Sequence, residues 1–140
     1  MDSLLLEYAM ESEVFQTRLE ELPHILDWVR THLKKTSLSP KYQMHLELAI
    51  EEAVVNIIYY AKAPNLTFKA RTEPHQIEFE LIDAGAPFNP LEQPQSEIDL
   101  PLEERAPGGL GVHLMRKCVD TILYRREDNT NILTLVKKLE

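Results

Sequence analysis

The stretch Gln76-Ile-Glu-Phe-Glu-Leu-Ile-Asp83-Ala-Gly85 alternates apolar and polar residues and then breaks at a glycine. Ile77, Phe79, Leu81 and Asp83 share one parity, so in a strand their side chains point to the same face. Three of them require a core on that side. The fourth is a carboxylate brought to the core face at the end of the strand, where it needs a hydrogen-bond donor. Either Asp83 caps the turn at Ala84-Gly85, or it accepts from a ligand, an adenine amino group being one such donor. A strand with one apolar face needs a second layer to cover it, and the flanking sequence supplies one.

Immediately before it, Leu66 to Arg71 reads as a strand, with Thr72-Glu73-Pro74-His75 as the connection. Further back, Ser39-Pro40 pairs an N-cap with a proline at the first helical position, and the helix it opens runs to about Ala61, before Pro64. Leu46, Ile50, Ala53, Val54 and Ile57 give that helix a broad core stripe. Pro23 opens an earlier helix in which Ile25, Leu26, Val29 and Leu33 recur at helical spacing beside Trp28, ending near Lys34-Lys35. The first twenty residues contain two β-compatible runs, Leu4 to Met10 and Val14 to Leu19.

On the other side of Gly85 the pattern collapses. Leu91 to Pro107 has prolines at 94, 101 and 107 and no sustained period, which marks a functional lid or a disordered connection. Leu110, Leu114, Met115 and Cys118 then predict a third helix. Thr121 to Arg126 and Asn131 to Leu139 predict a closing hairpin, with Asp128-Asn129 at its turn. Strands with three interspersed helices predict one two-layer α+β sandwich over residues 1–140.

Composition bounds what such a domain does. With 140 residues there is room for one core, and 44% hydrophobic with 27% charged residues is ordinary for a folded domain. No apolar run is long enough to span a membrane, and Met1-Asp2-Ser3-Leu4 lacks the basic region of a secretory signal. The single cysteine, Cys118, excludes an internal disulfide framework and fits a cytoplasmic setting; on its helix stripe it reads as a buried, inert thiol. A net charge of −8, with Lys34-Lys35, Arg125-Arg126 and Lys137-Lys138 as separate pairs, argues against direct nucleic-acid binding. The five histidines, at 24, 32, 45, 75 and 113, share no ligand spacing, so they read as structural or exposed and predict no zinc site.

Average usage would place roughly ten glycines in this length; the chain has four, Gly85, Gly108, Gly109 and Gly111, all at the two ends of the lid-like segment. Glycine there lets a ligand approach bare backbone, although each alone also suits an ordinary turn or cap. Pro107-Gly-Gly-Leu-Gly111 leads directly into the third helix, and amides at a glycine-rich helix start bind anions without a cationic side chain. On the second helix Glu52 and Asn56 are four residues apart and stack on one face, with Leu48 and Tyr60 continuing the line. A carboxamide oxygen suits Mg²⁺, and a nearby carboxylate is able to take a proton from a hydroxyl.

In this order the segments resemble the GHKL superfamily of ATP-binding domains, the Bergerat fold. Glu52-Ala-Val-Val-Asn56 looks like its N box, Asp83-Ala-Gly85-Ala-Pro-Phe88-Asn89-Pro90 like its first glycine box, and Gly109-Leu-Gly111 like its second. The resemblance is closer to the branch of bacterial anti-sigma factors that are serine kinases, and it covers nearly the whole chain. It implies a mixed, mostly antiparallel sheet covered on one face by three helices, with residues 91–107 as the ATP lid. It also implies ATP and Mg²⁺ as ligands. Asn56 would hold the Mg²⁺, Glu52 would be the general base, and Asp83 would receive the adenine amino group. Gly85 would admit the ring, and the amides of Gly108, Gly109 and Gly111 would meet the phosphates. Arg105, from its charge and place, would contact the γ-phosphate.

The same resemblance implies a cytoplasmic kinase that sequesters a sigma factor and phosphorylates a small antagonist protein on serine, as a homodimer. At 140 residues no phosphoacceptor or transducer domain is expected beside it. The alternative is a non-catalytic, ATP-gated protein-binding module of the same fold. Tyr60-Ala61 departs from the His-Ala or His-Gly often found in the family, so no histidine role carries over.

Overall fold

A computed structural model describes residues 9–92 and 111–139. Its strands are β1 (Ala9–Gln16), β2 (Asn65–Thr72), β3 (Gln76–Asp83), β4 (Thr121–Glu127) and β5 (Thr130–Lys138). Its α-helices are α1 (Leu22–Leu33), α2 (Pro40–Asn56) and α3 (Gly111–Cys118). The strands form one sheet in the order β1-β2-β3-β5-β4, and every neighbouring pair is antiparallel. The α+β sandwich anticipated from the strand and helix pattern is therefore present.

The inward faces carry the core. Leu66, Phe68 and Ala70 of β2, Ile77, Phe79 and Leu81 of β3, and Leu133 and Leu135 of β5 are buried together with the helical stripes. On α1, Ile25, Val29 and Leu33 recur every fourth residue and are fully buried. On α2, Leu46, Ile50, Ala53 and Val54 do the same work. The helix opens as its sequence predicts, with the Ser39 hydroxyl accepting from the Tyr42 amide and Pro40 in the first turn. Val112, Met115 and Cys118 bury the inner side of α3. No helix among the described residues is long and apolar enough to cross a membrane.

Two local departures have physical causes. Of the two runs expected in the first twenty residues, Val14 to Leu19 stays in strand only to Gln16, and the strand that holds it starts at Ala9 and passes straight through Glu11-Ser12-Glu13. An edge strand needs only its partner's backbone, and the β2 register from Ala9↔Thr72 to Gln16↔Asn65 supplies that without a second apolar face. Residues 4–8 lie outside the described residues. Second, the helix beginning at Pro40 does not stay α-helical to Ala61; Ile57–Ala61 widens into a single π-type turn. The Lys62 amide closes it on the Ile57 carbonyl at 3.0 Å, and Lys62 itself is left-handed at φ 57°.

The β4–β5 hairpin turns as expected at Asp128 and Asn129, with φ 50° and 64°. Positive φ at both central residues matches the right-handed twist of the strands, and Asp and Asn tolerate it better than other side-chain-bearing residues.

Candidate nucleotide-binding site

Along α2 and the π-type turn after it, the line Leu48, Glu52, Asn56, Tyr60 sinks from the surface to Asn56 and emerges part-way again at Tyr60. Leu48 is 40% exposed, Glu52 is half-buried and Asn56 is only 1% exposed. The acid and amide singled out by their spacing thus lie where the helix sinks into the core. Burial pushes the Glu52 carboxyl above its ordinary range, and the neighbouring Glu51 charge adds to the effect.

At the end of β3, Asp83 is 3% exposed and has two different oxygens. Oδ1 accepts from the Gly85 amide at 2.9 Å and from Asn131 Nδ2 at 3.0 Å. Oδ2 is buried without a partner. The turn-capping role therefore occupies one oxygen and leaves the other available to a ligand.

Among the described residues, the buried side-chain polar atoms without a hydrogen-bond partner are Glu52 Oε2, Asn56 Oδ1, Asn56 Nδ2 and Asp83 Oδ2. All belong to the three side chains picked out from the sequence. Buried polar atoms are paired in folded proteins because an unmade hydrogen bond costs about 1–3 kcal/mol. The concentration of the exceptions on these three side chains sets them apart from the rest of the described interior.

Asp83 also lines a narrow pocket with Ala53, Ile57, Leu81, Phe88, Tyr124 and Asn131, whose volume of about 10 Å³ is the room of roughly one water. Ala53 and Ile57 follow Glu52 and Asn56 directly in the chain; the two polar residues themselves do not line this pocket. The arrangement is a narrow, mostly apolar slot with Asp83 in its wall, and the helical acid–amide pair adjoins two of its lining residues in the chain. Asn56 Oδ1, a hard acceptor left unpaired, is the kind of atom that would hold a Mg²⁺.

Gly85 has a structural reason for lacking a side chain. A Cβ there would stand 2.3 Å from the Ala61 carbonyl oxygen and 3.0 Å from the Ala63 amide nitrogen, both backbone atoms. The glycine turn packs directly on the end of α2, and the Ala86 amide donates to the Ala61 carbonyl at 2.9 Å. Gly111 is the first residue of α3. Arg105, Gly108, Gly109 and nearly all of the 91–107 lid lie outside the described residues; only Leu91 and Glu92 are described, in a short 3₁₀ turn begun by Pro90.

A model of the histidine kinase-like ATPase domain family matches residues 15–137. The chain belongs to that family. This histidine kinase-like ATPase domain is also 27% identical, over 114 residues, to the serine/threonine-protein kinase BtrW of Bordetella bronchiseptica, a match covering 79% of the chain and 80% of that protein. Its fold resembles a crystal structure of the RsbU and RsbW domains of a Mycobacterium tuberculosis protein, with a TM-score of 0.65 at 14% identity over 94% of the chain. The chain spans about a third, 32%, of that longer structure.

Sequence reasoning about this ATPase domain missed Asn131, which pairs directly with Asp83 in the β3–β5 register. Its signal was present: Asn131 shares parity with Leu133 and Leu135, so it is a polar residue at the start of a core-facing row. Phe88 and Tyr60 were also unassigned, and their rings stack at 4.8 Å and 14° where the glycine turn meets the widened end of α2. The structural reading of His32 agrees with its surroundings, since it is buried with Nδ1 on the Trp28 carbonyl and Nε2 on Glu11.

Proposed function

We propose that this domain is an ATP-dependent protein serine kinase and anti-sigma factor, which holds a sigma factor inactive and phosphorylates a small antagonist protein on serine. The observation that carries the reading is the confinement, among the described residues, of unpaired buried polar atoms to Glu52, Asn56 and Asp83. The relationship to a protein named as a serine/threonine kinase supports phosphoryl transfer over other chemistry on the fold.

In this reading Asp83 Oδ2 accepts the adenine amino group within the apolar slot. Asn56 Oδ1 holds Mg²⁺, which when bound would offset the phosphate charge that an acidic chain otherwise repels. Glu52 takes the proton of the attacking serine hydroxyl. A carboxyl raised above its usual range is a better proton acceptor at neutral pH, provided it is still ionised. Amides of Gly108, Gly109 and Gly111 cradle the phosphates, Arg105 meets the terminal one, and residues 91–107 close over them. The protein works in the cytoplasm as a homodimer.

The test is incubation with γ-labelled Mg-ATP and candidate antagonist proteins, followed by location of the labelled residue. Glu52→Gln is expected to keep ATP affinity within about threefold while transfer falls by about 10²–10⁴-fold, the usual contribution of a general base. Transfer by Glu52→Gln at the wild-type rate would remove Glu52 from the chemistry. Intact ATP binding without transfer to any antagonist, in the wild-type protein, would favour a nucleotide-gated binding module.

A further inference from the structure

Asn131 is 4% exposed and uses its full hydrogen-bonding capacity. Nδ2 donates to Asp83 Oδ1 at 3.0 Å and to the Ala86 carbonyl at 2.8 Å. Oδ1 accepts from the Phe88 amide at 3.2 Å and from the Tyr124 hydroxyl at 2.5 Å. The orientation of the amide is therefore fixed by chemistry. The Ala86 carbonyl only accepts and the Phe88 amide only donates, so a flipped carboxamide would set oxygen against oxygen and N–H against N–H.

That fixed donor has a consequence for Asp83. With the Gly85 amide it saturates Oδ1 and holds the carboxylate plane, leaving Oδ2 as the oxygen without a partner on a residue that lines the pocket. An oxygen with only lone pairs to offer welcomes an N–H donor and is left unpaired, or opposed, by a carbonyl. The contrast between an exocyclic amino group and an oxo group at one purine position is large when the reading group is buried and held in place.

We propose that Asn131 is a positioning residue for base selection. By pinning Asp83 through Oδ1 it keeps Oδ2 a pure acceptor, so the pocket takes 6-amino purines and refuses 6-oxo purines. The inference rests on the nucleotide-binding reading above and extends it. Asn131 touches no ligand in this account; it acts through Asp83. The same side chain ties the glycine turn, at Ala86 and Phe88, to Tyr124 on β4, so truncation also loosens the pocket wall. The experiment has to separate those two effects.

Binding of Mg-ATP, Mg-ITP (6-oxo) and the Mg complex of purine riboside triphosphate (no 6-substituent) is measured by calorimetry on the wild type, Asn131→Ala and Asn131→Asp. In the wild type the 6-amino group is expected to be worth about 10- to 100-fold over purine riboside triphosphate, the range for one hydrogen bond to a charged group. Asn131→Ala should bring that ratio to within about threefold while purine riboside triphosphate itself binds nearly as before.

Asn131→Asp keeps volume and the contacts to Phe88 and Tyr124, but sets two carboxyls together that cannot both ionise freely. Measured at a pH where both are ionised, the new carboxylate offers Oδ1 no donor and repels it, so the Asp83 plane is released and selectivity for ATP over ITP should fall at least about tenfold. This second variant decides the matter if the alanine variant does not fold. Equal weakening of all three nucleotides, with both ratios kept, would overturn the positioning role and leave Asn131 a structural residue. Binding of no nucleotide by the folded wild type would overturn the nucleotide reading itself, and this inference with it. A wild type that binds ATP and purine riboside triphosphate equally would overturn only the inference.

Discussion

Asn56 is the residue whose burial has no structural justification of its own. Its whole carboxamide is unpaired at 1% exposure, a state that costs about 1–3 kcal/mol. Asn56→Ala removes that cost along with the side chain, so stability should stay within about 1 kcal/mol of wild type or rise, instead of showing the loss of 2 kcal/mol or more usual for truncation of a large apolar core side chain. Mg-ATP binding should disappear in the same variant. Urea unfolding with and without nucleotide checks both halves.

Glu52 makes a pH-dependent version of the same argument. Its folded carboxyl is raised by burial and by Glu51, so the folded state binds its proton more tightly than the unfolded chain does. The stabilising contribution is complete below the ordinary carboxylate range and is lost as pH rises through the raised folded value. Glu52→Gln removes the titration. The variant should be more stable than wild type at neutral pH, with the difference shrinking toward acid and gone below the ordinary range. Unfolding midpoints measured across that window test it, and a difference that grows toward acid would contradict it.

At the scale of elements, the site depends on how the end of α2 meets the turn after β3. The widened turn Ile57–Ala61 and left-handed Lys62 bring the Ala61 carbonyl against Gly85, and the Tyr60–Phe88 stack closes the same seam. Wide turns of this kind recur at functional sites because they re-aim the side chains they carry. Gly85→Ala should cost about 1–3 kcal/mol or more, since its Cβ meets backbone atoms that have no rotamer to adopt. ATP affinity should fall with it, because Asp83 and the turn it caps share that seam. A thermal melt of Gly85→Ala matching wild type would show that the two backbones part easily.

At the scale of the molecule, a chain of net charge −8 is proposed to hold a polyanion. That is workable when main-chain amides and a metal supply the local field, and it makes the folded state responsive to Mg-ATP in particular. At a hundredfold excess over its dissociation constant, Mg-ATP should add about 2.7 kcal/mol of stability. ATP with a chelator in place of Mg²⁺ should add much less. Scanning calorimetry with each addition checks this, and equal stabilisation by both would remove the metal from the reading.

The sequence by itself determined the elements and the three polar side chains. Periodicity identified α1, α2 and both later strand pairs because a helix or strand with one buried face repeats its apolar residues at 3.6 or 2, whatever it packs against. Proline and capping signals placed the helix starts at Pro23 and Pro40, and the inward parity of Asp83 marked it before any partner was known. Tertiary structure alone decided that β1 runs through a polar stretch, because its pairing comes from β2. Tertiary structure also decided that Gly85 is required by Ala61, that α2 ends in a widened turn, and that Asn131 holds Asp83. Apart from the widened turn, which the Lys62 amide closes locally on Ile57, each is a contact between residues distant in the chain, whose energy depends on where two backbones meet and leaves no local pattern to read.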